Sequence, residues 1–367
     1  MKLSLTRTSL SSILAPLLCN SHPSHRPISS LSVSHRPTSL TPETTPLFLR
    51  PPTSSASLSD LLKFRNWAET LSSSAGASFS AQDNGPDTHL LLRELTWLLE
   101  DALENPKTLA YCNPSAVSND LLVSLRTDLE ELYTLWKQRI DERRPFQYIV
   151  GCEHWRDLVL GVREGVLIPR PETEQVVELV SDAIKGNDEL GDGLWADLGT
   201  GSGAIAIGIA RILRDRGMVI ATDLSPVAVE VASFNVQRYN LQDKVVIRQG
   251  SWFGPLKEAE GDLVGIVSNP PYIPTEHING LQAEVKHEPR LALDGGTDGI
   301  GDLLYLCNGA VSMLKPGGFF AFETNGEKQC KFLLDYMETK VKGSFNDINI
   351  VSDFAGIQRF VTGFRTR

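Results

Sequence analysis

Apolar and polar positions alternate with two different periods in the second half of the chain. Short apolar runs, typical of buried strands, are separated by stretches in which apolar residues recur every three or four positions, as in helices. The predicted strands and strand-like runs lie at 194–196, 218–222, 245–247, 263–267, 319–322, 348–351 and 358–361. Helices alternate with the first five strands, which predicts an α/β fold with a doubly wound sheet of seven strands that ends in a hairpin.

The preceding part of the chain, residues 58–144, has a helical pattern. Leucines at helical spacing predict a helix over 88–103 and another over 121–140, which Asn119 or Asp120 could cap. Between a short helix at 58–67 and the helix at 88, the small and polar residues of 72–86 predict a loop. No residue here indicates chemistry, so the pattern fits simple packing as well as a role in docking a partner.

The first 55 residues differ in composition from the rest of the chain. Residues 1–55 are rich in Ser, Thr and Pro, and their five basic residues are accompanied by Glu43 as the sole acid. This composition is typical of organellar transit peptides, and disordered tails share its low complexity. The scarcity of acids favours targeting, and the serine content favours the chloroplast stroma over the mitochondrion. The predicted parts are a transit or disordered segment (1–55), a helical docking domain (58–144), a linker with a β-hairpin and a helix (145–192) and a Rossmann-like domain (193–367).

Charge and cysteine spacing exclude several classes of function. The net charge is −10, and because residues 1–57 carry +4, the remainder carries −14. A body this acidic is not expected to bind nucleic acid independently of sequence, which requires a basic face. The sequence contains no run of eighteen apolar residues, so no membrane-spanning helix is predicted. The five cysteines are scattered without a C-x-x-C pair, so neither a metal site nor a disulfide framework is expected.

Two strand ends carry candidate chemistry. The strand at 263–267 is followed by Asn269, Pro270, Pro271 and Tyr272, here called the tetrad. An amide oxygen, backbone carbonyls held in an extended segment by proline, and an aromatic ring suit a planar amino group. A proline-rich turn is the simpler interpretation of the Pro-Pro pair alone.

The first strand of the sheet is followed by a glycine-rich turn at 199–203, and the second by Asp223. Glycines allow a tight turn and close approach of a ligand at the start of a helix. An acid after the second strand is placed to accept hydrogen bonds from ribose hydroxyls, and Ser225 provides a better helix cap, which leaves Asp223 free. Trp252, after the third strand, could flank an adenine ring or pack in the core.

These residues together resemble the class I S-adenosylmethionine-dependent methyltransferases, and the tetrad resembles the subgroup that methylates planar amino groups. The stretches 144–151, 166–174 and 288–293 further resemble the HemK/PrmC family. The resemblance covers about residues 88–367. It implies a Rossmann-like seven-stranded methyltransferase sheet with a small amino-terminal helical domain. It also implies transfer of a methyl group from S-adenosylmethionine to the side-chain amide nitrogen of the glutamine in the Gly-Gly-Gln motif of class 1 peptide chain release factors.

The resemblance also assigns residues by position. The implied cofactor site consists of Gly199, Thr200, Gly201, Ser202, Gly203, Asp223, Trp252 and Asn269. The implied substrate site consists of Asn269, Pro270, Pro271 and Tyr272, of which Asn269, Pro270 and Tyr272 are the expected catalytic residues. The implied partner is an organellar class 1 release factor, and we expect a monomer without direct nucleic-acid or membrane contact. The sequence departs from the family pattern at Trp155 and at 323–326.

Two other functions fit parts of the pattern. An adenine-amino methyltransferase acting on DNA or RNA would use the same tetrad, but it would need a flipped base and a basic groove. A catalytically silent adaptor would dock a translation factor through the helical domain, and the intact cofactor and tetrad residues argue against it.

Overall fold

The structure of the protein, a computed structural model, describes residues 45–111 and 121–367, which all belong to one compact unit, Leu40–Arg367. The first part of this unit is mainly helical. Its elements are β1 (Ser54–Ser57), α1 (Leu58–Asp83), α2 (Thr88–Ala102), β2 (Leu122–Leu125), α3 (Leu129–Asp141) and α4 (Phe146–Val150). The three long helices share an apolar core that contains Leu47, Phe64 and Trp136. The helix predicted over 88–103 is thus confirmed as α2.

The loop predicted over 72–86 is wrong, because α1 continues to Asp83. Ser72 is completely buried, and its hydroxyl donates to the carbonyl of Ala68 at 2.7 Å, so the polar group is satisfied within the helix. Gly76 provides a close contact with α2, since a Cβ there would lie 2.3 Å from the backbone nitrogen of Thr88. Tertiary packing therefore overrides the weak helix propensity of serine and glycine.

The helix predicted over 121–140 is wrong for its first eight residues, 121–128. Residues 122–125 form β2, which pairs antiparallel with β1, and its side chains alternate between exposed and buried. The helix α3 begins only after Asp128, whose carboxylate accepts from the backbone N–H of Glu131 at 2.7 Å. Asn119 and Asp120, the predicted caps, lie outside the described residues.

Disorder predicted for residues 1–55 is wrong for the last of them. Leu47 is fully buried in the helical core, and the Arg50 guanidinium lies 2.9 Å from the Glu131 carboxylate. The strand β1 then begins at Ser54. Residues 1–44, and with them the predicted transit peptide, lie outside the described part of the chain.

The remaining elements form the hairpin, the linking helices and the sheet. They are β3 (Cys152–Trp155), β4 (Leu158–Gly161), α5 (Glu174–Gly186), α6 (Asp188–Asp192), β5 (Leu194–Leu198), α7 (Ala204–Ile212), β6 (Met218–Asp223), α8 (Pro226–Arg238), β7 (Val245–Gln249), β8 (Leu263–Ser268), α9 (Gly301–Met313), β9 (Leu314–Glu323), α10 (Glu327–Thr339), β10 (Phe345–Ser352) and β11 (Gln358–Arg365).

The central sheet has the strand order β10-β11-β9-β8-β5-β6-β7. Strands β5 to β9 run parallel, and β11 is antiparallel to both of its neighbours. This confirms the predicted seven-stranded α/β sheet with a terminal hairpin. The order reverses between β5 and β8, and ligands bind in the crevice at such a switch point, outside the carboxyl ends of the strands. None of the described helices is long and apolar enough to cross a membrane.

Candidate active site

A cavity of about 370 Å³ opens at the carboxyl ends of the strands on both sides of the switch point. Its volume lies within the range of about 300–1,000 Å³ that is usual for small-molecule sites. Eight of the eleven predicted site residues line it, namely Gly199, Thr200, Gly201, Ser202, Asp223, Trp252, Asn269 and Pro271. Gly203, Pro270 and Tyr272 do not line it.

The glycine-rich turn is fixed by backbone contacts and by one buried acid. The backbone N–H groups of Gly199 and Thr200 both donate to the carbonyl of Thr222 at 2.9 Å. Asp197 accepts from the Thr200 hydroxyl at 2.6 Å and from the Ala206 N–H at 3.0 Å. Burial raises the pKa of Asp197 to about 7. Positive φ angles at 199, 201 and 203 require the glycines of this turn.

Asp223 ends β6 and faces the cavity. Ser225 caps α8 by accepting from the N–H of Ala228, as predicted, but Asp223 is not left free. One carboxylate oxygen accepts from the backbone N–H of Gly201 at 2.8 Å and the other from that of Ser225 at 2.9 Å. Burial raises the pKa of Asp223. A carboxylate has about four lone-pair sites, more than these backbone groups use, so Asp223 can still accept from a ligand.

Trp252 stands against the turn from the side of β7. Its φ is 47°, an unusual value for a large residue, and a Cβ on Gly199 would lie 3.4 Å from its ring. Its side chain interacts with Asp302, a cavity residue that was not predicted, and burial raises the pKa of that carboxyl. The ring is therefore half-buried and held in place. It is neither fully packed in the core nor fully open to an adenine ring, the two roles that the sequence left open.

The two ends of the tetrad face different ways. Asn269 and Pro271 form the cavity wall, whereas Pro270 is buried behind it. The Tyr272 hydroxyl donates away from the cavity to Glu323 Oε1 at 3.2 Å, and the Tyr272 carbonyl accepts from the Gln329 amide at 2.9 Å. The tetrad is thereby fixed at its carboxyl-terminal end.

Asn269 is oriented by Thr173, the last residue of a short turn before α5. The Asn269 Nδ2 group donates to Thr173 Oγ1 at 3.1 Å, and that hydroxyl donates to Glu323 Oε2 at 2.7 Å. No described residue donates to Asn269 Oδ1 or to the carbonyl of Pro270. Two hydrogen-bond acceptors, one on the wall and one on the residue directly behind it, thus have no partner within the described chain.

The proline-flanked Arg170 also lines the cavity. Its guanidinium lies 2.5 Å from Glu288 Oε1, and Glu288 Oε2 accepts from the backbone N–H of Ile168 at 2.9 Å. The indole N–H of Trp155 donates to the Arg170 carbonyl at 2.8 Å. This salt bridge holds the segment before α5 against the loop that follows the tetrad.

Thr173 and Glu323 were not among the predicted site residues. The sequence pattern includes Thr173 only in the stretch 166–174 that resembles the family, and Glu323 only in the departure at 323–326. A signal for Glu323 did exist, because it is an acid directly after the apolar run 319–322, the same placement as that of Asp223 after its strand. Thr173 gave no comparable signal, since it reaches Asn269 from a segment 96 residues earlier.

Comparison with known proteins assigns the class first. Residues 179–288 match the family model described as the methyltransferase small domain. The sheet order, the cavity at the switch point and this match define a class I S-adenosylmethionine-dependent methyltransferase. Among the described residues, no group of three His, Cys, Asp or Glu side chains could hold a metal ion.

Several curated relatives are named release factor glutamine methyltransferases. The protein of Thermosynechococcus vestitus is 42% identical over 240 residues, which is 65% of this chain and 80% of that protein. The Synechocystis protein is 38% identical over 272 residues, 73% of this chain and 88% of that protein. The Moorella thermoacetica protein is 40% identical over 231 residues, 62% of this chain and 78% of that protein. The chain belongs to the release factor glutamine methyltransferase family.

Proposed function

We propose that this protein transfers a methyl group from S-adenosylmethionine to the side-chain amide nitrogen of the glutamine in the Gly-Gly-Gln motif of a class 1 peptide chain release factor. The observation that carries the proposal is Asn269. Its side-chain oxygen and the neighbouring Pro270 carbonyl have no donor within the described chain, and Asn269 stands on the wall of the cavity at the end of β8. The relatives that share most of the chain carry the name of this activity.

The cofactor residues follow from the cavity wall. The turn at 199–202 lets the backbone approach a ligand closely, the Asp223 carboxylate can accept from ribose hydroxyls, and Trp252 offers a flat face to an adenine ring. These groups fit S-adenosylmethionine, because an adenine, a ribose and a methionyl chain need a flat face, an acceptor and a close backbone turn. The bound cofactor supplies a methyl group on a sulfonium, whose C–S bond breaks as the N–C bond forms and leaves its electron pair on sulfur.

Asn269 and Pro270 orient the amide that receives the methyl group. The lone pair of an amide nitrogen is delocalised into its carbonyl, so the nitrogen is a poor nucleophile. Asn269 Oδ1 and the Pro270 carbonyl each accept one of its N–H bonds, which raises the electron density on nitrogen and directs it towards the methyl group. One proton leaves the nitrogen after transfer, when the methylated cation is acidic, so no strong base is required. Pro271 closes the wall beside the amide, and Tyr272 fixes the tetrad from behind.

The localisation and the partner surface complete the proposal. We propose that the segment before residue 45 directs the protein to the chloroplast stroma and that the helical part, 58–144, docks the release factor. The scarcity of acids in this segment and the close relatives in two cyanobacteria, Thermosynechococcus and Synechocystis, support a plastid location. A fluorescent protein fused behind residues 1–44 should accumulate in plastids, and accumulation in mitochondria would contradict the assignment.

Label transfer tests the activity. The full chain is incubated with methyl-labelled S-adenosylmethionine and either a plastid class 1 release factor or single-stranded DNA and RNA, and the product is hydrolysed. We expect methylglutamine from the release factor and none from a factor whose Gly-Gly-Gln glutamine is changed to alanine. Label in adenine would instead establish a nucleic-acid methyltransferase, and cofactor binding without any transfer would establish the adaptor.

Two variants separate the roles of Asn269 and Asp223. Asn269→Ala should lower kcat by about 100- to 1,000-fold, as the loss of a transition-state hydrogen bond does, and leave cofactor affinity nearly unchanged. Asp223→Ala should raise the dissociation constant for S-adenosylmethionine by about 10- to 100-fold, the effect of losing a charged hydrogen bond. Asp215→Ala, on the exposed surface, is the matched control. Normal kcat in the first variant or normal affinity in the second would refute that assignment.

A further inference from the structure

Glu323 is a buried acid for which the proposed reaction has no direct use. It is the last residue of β9 and is 1% exposed. Its two oxygens accept from two hydroxyls on opposite sides, Thr173 at 2.7 Å and Tyr272 at 3.2 Å. Thr173 in turn accepts from the Asn269 amide at 3.1 Å. One carboxylate is therefore connected to both ends of the tetrad, and we call these four residues the Glu323 network.

The direction of each hydrogen bond in the network follows from the charge on Glu323. An ionised carboxylate only accepts, so both hydroxyl protons must point towards it. The oxygen of Thr173 is then left to accept, and the amide group of Asn269 that faces it must be the NH2 group. Because the two ends of an asparagine amide lie opposite each other, the oxygen of Asn269 must face away from Thr173. Ionised Glu323 thus determines which end of the Asn269 amide a substrate meets.

We propose that Glu323, acting through Thr173, is a positioning residue that fixes the side-chain orientation of Asn269 and anchors Tyr272, so that the tetrad presents an acceptor to the substrate amide. This inference rests on the proposed function for its consequence, since an acceptor is what an N–H substrate needs. The orientation of Asn269 is a property of the chain alone and can be measured without turnover.

Protonation of Glu323 should abolish the orientation of the Asn269 side chain that the ionised carboxylate imposes. Burial raises the pKa of Glu323 to about 7, while Thr173, Arg359 and Tyr272 lower it and Glu172 raises it further. Arg359 is itself paired with Asp353 at 2.9 Å, so it is shared rather than devoted to Glu323. A protonated Glu323 donates from one oxygen, and Thr173 is then free to donate to Asn269, which turns the NH2 group towards the cavity. We therefore expect kcat to fall as the pH is lowered through about 7.

Kinetics of three variants of the full chain test the proposal, with a class 1 release factor as substrate. Thr173→Val and Glu323→Gln should each lower kcat by about 100-fold, the usual effect of a small misplacement, with little change in the KM for S-adenosylmethionine. Thr173→Ser keeps the hydroxyl and should recover most of the activity. Glu323→Gln should also remove the acid limb of the kcat profile. Thr362→Val, a buried threonine in β11 outside the network, is the matched control and should retain activity.

A nuclear magnetic resonance titration provides the readout that does not depend on turnover. The side-chain NH2 signals of Asn269, assigned by their loss in Asn269→Ala, should shift with a midpoint near pH 7 in the wild type and stay constant in Glu323→Gln. The proposal would be overturned if both Thr173→Val and Glu323→Gln kept the kcat and pH profile of the wild type. It would also be overturned if the Asn269 signal of the wild type did not change with pH. If the wild type fails to methylate the factor although the Asn269 signal titrates, the proposed function is rejected, whereas the role of Glu323 in orienting Asn269 is retained.

Discussion

Asp197 is the least satisfied polar group in the cofactor turn. It is fully buried, and although Oδ2 accepts two hydrogen bonds, Oδ1 has no partner among the described residues. A buried carboxylate with one unsatisfied oxygen is costly to ionise, which is the reason for its raised pKa. The Asp197 carboxylate stabilises the local structure, since it fixes Thr200 and the start of α7, and with them the glycine-rich turn.

Replacement of Asp197 by asparagine should therefore change how stability depends on pH. The pKa of Asp197 is raised to about 7 in the folded protein, so the folded state holds a proton that the unfolded state releases above about pH 4. Stability then decreases as the pH rises from about 4 to 7. Asp197→Asn should flatten the dependence of the melting temperature on pH in this window. Glu323 contributes a slope of the same sign, so part of the decrease should remain. An unchanged slope in Asp197→Asn would contradict the prediction.

Residues that follow strands could be predicted, and residues brought in from elsewhere could not. Asp223 and Asn269 each follow an apolar run, and the glycines at 199–203 follow another, so sheet topology alone places them at one edge. Thr173 comes from the turn before α5 and Asp302 from the start of α9, and no periodicity relates either to the site. The direction of the Tyr272 hydroxyl was equally inaccessible, because it depends on Glu323 across the sheet.

Elements of the sheet were predicted better than the helices before it. A parallel strand is buried on both faces and gives a continuous apolar run, as β8 illustrates: all six of its residues are buried, and the first five are apolar. In the helical part, the signal for β2 was four residues long and followed by a strongly helical leucine pattern. Its pairing partner β1 lies about seventy residues earlier and begins at the end of the stretch 1–55, whose composition is also typical of disordered tails. Both β1 and β2 form because they pair with each other over a long distance in the sequence, and a local pattern does not contain that information.

Gly76 tests the corrected boundary of α1. In an exposed helix, replacing glycine by alanine stabilises by up to about 1 kcal/mol. Here a Cβ would lie 2.3 Å from the Thr88 nitrogen and 2.5 Å from its hydroxyl oxygen, so α1 and α2 would have to separate. We expect Gly76→Ala to destabilise the protein by about 1–3 kcal/mol, as overpacking does. Gly186→Ala, at the end of α5 with no atom within 4 Å, is the control and should not lower the melting temperature. A stabilised Gly76→Ala would mean that 72–86 is not packed helix.

A buried charged cluster joins α3 to the loop that follows the tetrad. Arg139 is 2% exposed and contacts Glu94 at 2.7 Å and Glu284 at 3.1 Å. Arg143 adds contacts to Glu284 at 2.5 Å and to Asp83 at 3.1 Å. Glu284 belongs to the same loop as Glu288, which holds Arg170 at the cavity. The helical part is thereby connected to the cavity wall through charge pairs whose arginines are buried and whose carboxylates are buried or partly buried.

Arg139→Met should show how much this cluster matters. The change leaves Glu94 buried without its cation, and breaking a buried pair in this way costs about 3–5 kcal/mol. Burial already raises the pKa of Glu94, so the variant should regain part of its stability at acidic pH, where that carboxyl is neutral. Arg65→Met removes an exposed pair with Glu69 and should change stability by about 0.5 kcal/mol or less. A loss in Arg139→Met that is as small as this control, or that does not shrink at pH 5, would contradict the prediction.

At the scale of the whole molecule, the cavity is too small to be the entire recognition surface. A volume of about 370 Å³ accommodates a cofactor and the tip of one side chain, so most of a protein substrate must be bound outside it. We propose the helical part as that surface, since the charged cluster connects it to the loop around the tetrad. The net charge of −14, carried by residues 58–367 as a whole, is unfavourable for binding a nucleic-acid backbone independently of sequence.

Comparison of an intact release factor with a short peptide tests this division of labour. A peptide of about ten residues around Gly-Gly-Gln can reach the tetrad but cannot contact the helical part. Binding energy from remote contacts contributes about 1.4 kcal/mol for each factor of ten in kcat/KM. We expect the peptide to be methylated at least about 100-fold less efficiently than the intact factor, mainly through KM. The intact factor with its glutamine changed to alanine should compete with the wild-type factor but not with S-adenosylmethionine. Equal kcat/KM for peptide and protein would mean that the cavity alone recognises the glutamine and that the helical part has a different task.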